Sequence, residues 1–419
     1  PQDVARLSHG EALSDSLIWS VLALGGRRDL RLVKTLKEYS SLAELKTRGQ
    51  VATRMGVIPG NKKKELTELR DKPYFELTEF PENVFVELDA STVSPWTVPK
   101  VDSLHGIKNF EEFKLPQLLV KHSYSVNKKR FRAAIVRSSD PTWGVICKET
   151  YLSVRDLTPD AKHIGGACLV YNSLLATYFL ALTSSRMGHY ITEVLTGELM
   201  QVPLPSVPVD LSQLRTFDDI DALTRKLFRL TEADWVLVDD LLNVALPDAL
   251  RKSGTPGRQS TRGAHARTPG EPVLEPYGTT FRRVLQTTFG RQRDIAFTIL
   301  QEPEGNRLPV RVVTVHLDWV GRPPISVERM EADGLFDHIA DFQRQLEATP
   351  GRGSMASGGG FQRVAYLFHS HDEPGGPVCD LTIIKPDQVR YWTRAQAMRD
   401  ADELSSAILA AAAQGKVLE

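Results

Sequence analysis

The sequence has few cysteines, and none lies close to another. Its 419 residues include three, Cys147, Cys168 and Cys379, and no CxxC pair. This usage is typical of a reducing compartment and argues against a zinc finger or a disulfide framework. A signal-peptide pattern is missing too, as is any apolar run of the roughly 18 residues that a membrane-spanning helix needs. We therefore expect a soluble, cytoplasmic protein without a membrane partner.

An excess of charge of one sign is also missing, because 52 lysines and arginines balance 52 aspartates and glutamates. The overall charge therefore gives no reason to expect a polyanionic partner, and such a signal has to come from local clusters. A hydrophobic content of 41% and a charged content of 25% are ordinary for a globular protein. The length predicts about two or three domains, at roughly 150 residues each.

Periodicity and turn residues divide the chain into five segments. Helical spacing of apolar residues dominates the first segment, and short strands around an apolar helix, Ala167–Thr183, dominate the second. A helical pair and a basic linker rich in proline and glycine follow. The last segment is predicted to be a separate α+β domain with a mainly antiparallel sheet, so the fold class is α+β. The segments are residues 1–74, 75–210, 211–251, 252–276 and 277–419.

The densest local cluster of positive charge is Lys121–Arg132, with the sequence KHSYSVNKKRFR. The cluster contains no acidic residue, and it falls between two predicted strands. We therefore expect a loop at a sheet edge or a hairpin end, where proteins often present binding groups. Such a loop could neutralise phosphates and reach base edges of DNA, or it could be a solvated basic hairpin. The candidate DNA contacts in it are Lys121, His122, Tyr124, Lys128, Lys129, Arg130 and Arg132.

Four sequence elements in residues 110–205 occur in a characteristic order. They are Leu115–Lys121 (LPQLLVK), Arg132–Val136 (RAAIV), Val170–Tyr178 (VYNSLLATY) and Gly197–Pro205 (GELMQVPLP). Together they resemble the target-recognition region of type I and type IIG N6-adenine DNA methyltransferases. The resemblance implies that residues 75–210 form a DNA target-recognition domain of a restriction–modification or phage-defence system.

The upstream segment Trp19–Leu36 also resembles this family, in which a tryptophan, a glycine and an aspartate mark the connection to the catalytic domain. Here Gly25 or Gly26 and Asp29 occupy the corresponding places. The resemblance implies that residues 1–74 connect to a catalytic domain. Because the sequence starts at Pro1, within an amphipathic stretch, we expect that domain to precede it or to reside on a partner subunit.

The apolar helix in the recognition region raises two further expectations. Asn172 is expected to cap a helix or to satisfy polar groups in the core. Beyond the helix, Ser184–Gly188 offers hydroxyls and the guanidinium of Arg186. Arg186 could contact a phosphate or enter a groove, or it could be an ordinary surface charge.

The catalytic signature of adenine methylation is absent from the sequence. This chemistry uses a [DNS]-P-P-[YFW] loop, in which an aromatic residue stacks on the flipped base. Pro323-Pro324 follows Arg322 and precedes Ile325, so it supplies neither the acceptor nor the ring. The glycine run within 351–360 lacks the form of a cofactor loop. We therefore expect no methyl transfer by this chain alone, and S-adenosylmethionine is expected on the missing catalytic domain.

Other chemistries have weaker sequence support. Glu112 and Lys114 have the ExK spacing of a magnesium-dependent nuclease, with Asp102 upstream. His369 and His371 alternate along a predicted strand and could share a metal with His316, although the spacing matches no common metal motif.

The last segment leaves two further alternatives open. Trp392, between Arg390 and Arg394, could stack on nucleic acid or anchor the final helix. A different class of function is a protein-interaction scaffold of a defence system, in which residues 277–419 dock a partner subunit.

Overall fold

The computed structural model of the chain divides between residues 257 and 258, within the predicted 252–276 linker. One unit is Ala12–Gly257, and the other is Arg258–Glu419 together with Pro1–Glu11. The structure describes residues 7–65, 69–97, 100–103, 110–125, 128–187, 192–252, 271–290, 295–301, 310–317, 323–331, 333–334, 336–337, 339–341, 344, 365–373, 376–386 and 388–413. Helices and sheets occur in both units, and the α+β fold class is confirmed.

The elements of the chain up to residue 257 alternate between a helical start, a strand-rich middle and a helical end. The helices are α1 (His9–Ser14), α2 (Leu17–Leu24), α3 (Arg27–Leu36), α4 (Leu42–Thr47), α5 (Lys162–Tyr171), α6 (Leu174–Thr183), α7 (Thr196–Leu199), α8 (Phe217–Leu227), α9 (Glu232–Asp240) and α10 (Leu246–Lys252). The strands are β1 (Val51–Met55), β2 (Ile58–Glu65), β3 (Tyr74–Phe75), β4 (Glu87–Asp89), β5 (Lys100–Ser103), β6 (Gln117–Lys121), β7 (Ala133–Arg137), β8 (Ile146–Cys147) and β9 (Tyr151–Asp156).

A five-stranded sheet with the order β1-β9-β6-β7-β4 organises this unit. All its pairings are antiparallel except β4 with β7. Strand β6 (QLLVK) is buried along its whole length, which suits a central strand covered on both faces. Because β1 pairs with β9, residues 12–74 belong to the same compact unit, Ala12–Gly257, as the predicted recognition domain.

The predicted helix Ala167–Thr183 is two helices, α5 and α6, which meet at an angle of 75°. The break falls at Asn172 and Ser173, where Ser173 has an extended backbone (φ −89°, ψ 160°). Both helices are largely buried. Among the described residues no single helix is long and apolar enough to cross a membrane, and only this sharply bent pair reaches that length and apolarity jointly.

The second unit is built on another five-stranded sheet, with the order β12-β10-β11-β14-β13. Its pairings are antiparallel except β10 with β12, so the predicted mainly antiparallel sheet is confirmed. The elements are α11 (Glu271–Phe289), β10 (Ile295–Gln301), β11 (Val310–Leu317), β12 (Ile325–Arg329), β13 (Ala365–Glu373), β14 (Gly376–Pro386) and α12 (Arg394–Ala413).

Helix α11 begins inside the predicted linker 252–276. Leu274, Tyr277, Phe281 and Leu285 recur at helical spacing, are fully buried and face the sheet core. The linker prediction extended too far because it gave weight to the prolines of this segment, and Pro276 is accommodated inside the helix.

The final helix is capped by Thr393, whose hydroxyl accepts from Gln396 N–H at 3.1 Å. Trp392 is completely buried, and its indole N–H donates to Pro386 O at 2.9 Å. The anchoring role of Trp392 is therefore confirmed, and stacking of its ring on nucleic acid is wrong. Beside it, the buried Lys385 ammonium contacts Asp400 and donates to Tyr277 Oη at 2.9 Å.

Candidate nucleic-acid interface

The basic segment connects the antiparallel strands β6 and β7, so the predicted hairpin end is confirmed. Lys121 N–H donates to Arg132 O at 2.8 Å, and Ser125 bridges to Arg130. The chain before the turn also pairs with the segment that precedes α7, because Tyr124 N–H donates to Thr192 O at 2.8 Å. The hairpin end is thus fixed to two parts of the unit.

Four of the seven predicted contacts in this segment are buried rather than exposed. Lys121 and Arg132 are 3% exposed, Tyr124 is 4% exposed and Arg130 is 7% exposed. A buried cation reaches a phosphate only by leaving its partners, which costs several kcal/mol for an ion. The expectation that these four side chains lie on the surface is therefore wrong.

Arg130 joins the hairpin to the helices. Its guanidinium donates to Asp221 Oδ2 of α8 at 3.2 Å and to Asn172 O at 2.8 Å. The ring of Phe217 lies 4.6 Å from the guanidinium carbon. Asp221 also accepts from Leu174 N–H at 2.8 Å, at the start of α6. Burial raises the pKa of Asp221, and Arg130 opposes that rise.

Asn172 is the centre of a second buried network. Its side-chain oxygen accepts from Arg132 Nε and from Ala133 N–H, both at 3.2 Å. Its amide group donates to Ala133 O at 2.7 Å and to Cys168 O at 2.9 Å. The Asn172 side-chain amide therefore takes the place of a strand partner for the backbone N–H and C=O of Ala133 in β7. Its predicted role in the core is confirmed.

Lys121, the last residue of β6, fixes the first strand of the hairpin. Its buried ammonium forms an ion pair with Glu79, whose own side chain is 61% exposed. A carboxylate at the surface thus neutralises a cation inside the fold. The three buried cations, Lys121, Arg130 and Arg132, hold the hairpin in place.

The tip of the hairpin carries the accessible charge. Lys129 is exposed and has a left-handed backbone (φ 53°), and its ammonium contacts Asn243 in the π-helical turn Leu241–Ala245. Lys128 is partly exposed and lies 3.7 Å from Glu82, a pair that solvent screens because Glu82 is 94% exposed. These two lysines remain candidate phosphate contacts, together with the exposed Arg186.

His122 and Arg186 belong to one region next to the hairpin. His122 Nε2 lies 3.1 Å from Thr196 Oγ1 at the start of α7. The loop of Arg186 is fastened to the same helix, because Glu198 accepts from Ser184 Oγ at 2.7 Å and from Ser185 N–H at 2.8 Å. Glu198 therefore positions the part of the chain that presents Arg186.

The pKa of His122 gives a testable pH dependence. Burial lowers this pKa below its usual 6.5; Glu193 opposes the shift and Arg186 adds to it. Because the folded protein binds the proton less readily than the unfolded chain, this contribution to stability is complete above about pH 6.5 and is lost as the pH falls through the folded pKa. We expect His122→Gln to remove this component. Urea unfolding of wild type and variant at several pH values measures it, and parallel stability–pH curves would contradict it.

The segment Trp19–Leu36, here called the connector element, contains a glycine and an aspartate that depend on each other sterically. Asp29 accepts from Gly26 N–H at 2.7 Å at the start of α3, and from Tyr178 Oη of α6 at 2.7 Å. A Cβ atom at Gly25 would lie only 2.8 Å from the Asp29 side chain. The glycine and the aspartate are therefore required together, because the carboxylate occupies the space beside Gly25.

The element Gly197–Pro205 packs against Ser40 and Ser41, just after the segment Trp19–Leu36. Leu204 N–H donates to Ser40 O at 2.7 Å, and Pro203 bridges to Ser41. Tyr171 Oη donates to Leu199 O at 2.6 Å, which links α5 to α7. The elements that carry the family resemblance thus contact one another around α5 and α6.

One basic surface was not predicted from the sequence. Arg28, Arg31 and Arg229 line a cavity of about 150 Å³ between α3 and α9, which they share with Thr35 and Asp234. The arginines of α3 fall within the connector element and were not considered as binding residues. The spacing of Arg28, Arg31 and Thr35 by three and four residues is a usable signal, since it places them on one helix face.

The positions of the described residues do not support the nuclease interpretation or the metal interpretation. Glu112 is paired with Arg54 at 3.1 Å, and Lys114 is paired with Glu111 at 2.6 Å. His316 is buried with its Nε2 3.0 Å from Thr298 Oγ1. The side chains of Asp102, His369 and His371 and the glycine run within 351–360 lie outside the described residues. Within the described part, no group of three or more histidine, cysteine or acidic residues could hold a metal ion.

Comparisons of the chain with protein-family models, with curated proteins and with solved structures return no match.

Proposed function

We propose that the chain recognises double-stranded DNA for an N6-adenine DNA methyltransferase of a restriction–modification or phage-defence system. The observation that carries the proposal is the meeting of the resembling sequence elements at Asn172. Strand β7, with Arg132 and Ala133, lies on one side of this amide, and the helix junction lies on the other. The methyl transfer itself, and S-adenosylmethionine, belong to a catalytic domain or subunit that works with this chain.

The division of charge in the hairpin supports the proposal. Its inner cations are buried and fixed, and its tip presents Lys128 and Lys129. Arg186 adds a further exposed guanidinium on a loop that Glu198 holds. Exposed cations on a rigid support suit contacts to DNA phosphates, because little side-chain and loop ordering is then needed on binding.

Charge reversal at the tip tests the proposal. We expect Lys128→Glu with Lys129→Glu to lower affinity for duplex DNA by at least about tenfold, since phosphate contacts act on every sequence. The slope of log affinity against log salt should fall by about 2, because each phosphate that a lysine neutralises adds nearly one unit to it. Fluorescence anisotropy at several salt concentrations measures both quantities.

A matched control is Arg137→Glu, at the far end of β7 from the hairpin tip and exposed like the lysines. It should leave both affinity and salt slope nearly unchanged. Arg130 is not a useful target, because its replacement disturbs a buried ion pair. Wild-type binding that is absent, or that does not depend on salt, would overturn the proposal and favour the protein-interaction alternative.

Recognition, as opposed to general DNA binding, needs its own test. Selection of wild-type protein on a random duplex library should enrich a motif that contains adenine. Enrichment should weaken in the tip variant because its affinity for DNA is lower. The enriched motif should stay the same, because lysine–phosphate contacts carry no sequence information. Recovery of an unenriched library would contradict a recognition role.

A further inference from the structure

The cavity between α3 and α9 is unusually basic. Arg28, Arg31 and Arg229 outnumber its one acidic residue, Asp234, and leave an excess of two positive charges. Asp234 is engaged elsewhere, since its carboxylate accepts from Thr231 N–H at 2.9 Å and from Thr231 Oγ1 at 2.6 Å. The lining of the cavity also includes three buried apolar side chains, Leu32, Phe228 and Leu237.

Two elements bring the cations together. Arg28, Arg31 and Thr35 share one face of α3, and Arg229 comes from the turn between α8 and α9. Arg31 and Arg229 are exposed, and within the described part of the chain neither has an ion-pair partner. The positive charges of Arg31 and Arg229 repel each other at this cavity, so the arrangement of these two side chains is more favourable when an anion is bound.

The end of α8 places Arg229 in a backbone conformation that side chains other than glycine rarely adopt. Its φ is 53°, in the left-handed region. Leu230 N–H donates to Arg225 O at 2.9 Å and Arg229 N–H donates to Lys226 O at 3.2 Å, the two bonds of a helix end with a left-handed residue. Glycine is the usual residue there, because a Cβ atom is unfavourable in this conformation. Strain retained at a cavity wall is a signal of function.

We propose that this cavity binds a phosphate group, held by Arg31 and Arg229 with Arg28 and the Thr35 hydroxyl beside them. Planar guanidinium groups match phosphate oxygens better than ammonium groups do. The source of the phosphate rests on the proposed function: if the chain binds DNA, the group is a phosphate of the DNA backbone, contacted outside the hairpin tip.

The Arg229→Gly variant separates binding from folding. Without ligand, its melting temperature should rise by about 2–4 °C, as expected for relief of a left-handed side chain in a unit of this size. Inorganic phosphate should raise the melting temperature of the wild-type chain above that in chloride at matched ionic strength, since a ligand of the native state stabilises it. This phosphate effect should be smaller in Arg229→Gly and in Arg31→Ala.

A matched control is Ala161→Gly, which replaces another non-glycine residue with positive φ (48°) far from the cavity lining in sequence. It should also raise the melting temperature, but it should keep the full phosphate effect. If phosphate stabilises the wild-type chain no more than chloride does, or if Arg31→Ala and Arg229→Gly retain the wild-type response, the phosphate site is overturned.

DNA binding then identifies the source of the phosphate. Arg31→Ala removes one cation that contacts the DNA backbone. The slope of log affinity against log salt should therefore fall by about 1, and any selected motif should stay unchanged. If phosphate raises the melting temperature but the chain does not bind DNA, the cavity is a site for a free phosphate compound, and the proposed function is overturned. DNA binding that Arg31→Ala and Arg229→Gly leave intact would retain the proposed function and overturn the backbone contact.

Discussion

Replacing Arg130 by methionine is expected to destabilise the unit of residues 12–257 by about 3–5 kcal/mol, because it leaves Asp221 as a buried carboxylate without its cation. Both side chains are about one-tenth exposed, so solvent screens the pair poorly. The destabilisation should be smaller near pH 5 than near pH 7. Burial already raises the pKa of Asp221, and without Arg130 the carboxyl takes up a proton more readily. Urea unfolding at the two pH values measures the effect.

The double variant Arg130→Met with Asp221→Leu tests whether the loss of stability comes from the unpaired carboxylate of Asp221. Replacing both partners by apolar groups should recover most of the stability. A deficit of about 1–3 kcal/mol should remain, because Leu174 N–H no longer has its acceptor. A double variant that is as unstable as the two single effects added together would contradict this account.

Replacing Asn172 by alanine is expected to cost about 3–6 kcal/mol, the second large effect. The change removes the Asn172 hydrogen bonds to Ala133 N–H, Ala133 O and Arg132 Nε, all inside the fold. Each buried polar group without a partner costs roughly 1–3 kcal/mol. Denaturant unfolding followed by circular dichroism measures the change in stability.

Ser173→Ala is the matched control for Asn172. Ser173 is equally buried, but its hydroxyl makes one hydrogen bond, to Val170 O at 2.7 Å. Its removal should cost only about 1 kcal/mol. Equal destabilisation at the two positions would show that the helix break, and not the amide network, determines stability here.

Hydrophobic patterning predicts much of the second unit. Its apolar runs predict strands at Ala296–Leu300, Arg311–Leu317 and Ile325–Arg329. Strand β12 occupies the last of these ranges, and β10 and β11 agree with the other two within one residue at each end. Such runs of β-branched residues in a buried sheet give a strong signal. Strand β13 extends to Glu373 through the polar residues HSHDE, which propensity alone does not favour, because pairing with β14 continues there.

The first unit is harder to predict because long-range pairing determines it. The residues of β1 fall in a segment predicted to be helical, and the partner strand β9 is not anticipated. The junction at Asn172 is not visible in the pattern because α5 and α6 are apolar on most faces and together resemble one helix. Periodicity does not show where a side-chain amide replaces a strand partner.

The hairpin end is predicted correctly, but the roles of its cations are not separable from sequence. Lys121, Arg130 and Arg132 have the same residue types as Lys128 and Lys129, and the difference lies in what surrounds them. Their partners are Glu79, Asp221 and Asn172, which lie up to 91 residues away along the chain. The basic cavity is not predicted for the same reason, since Arg229 joins the arginines of α3 only in three dimensions.

The buried cations that fix the hairpin determine which substitutions in the loop leave the fold intact. The residues that secure the loop differ from those at its tip, so substitutions at the tip leave the securing contacts in place. A library that varies Lys128 and Lys129 while retaining Lys121, Arg130 and Arg132 should therefore yield mostly folded members. A change in the charge that such a loop presents therefore needs new residues only at its tip, without redesign of the sheet that carries it.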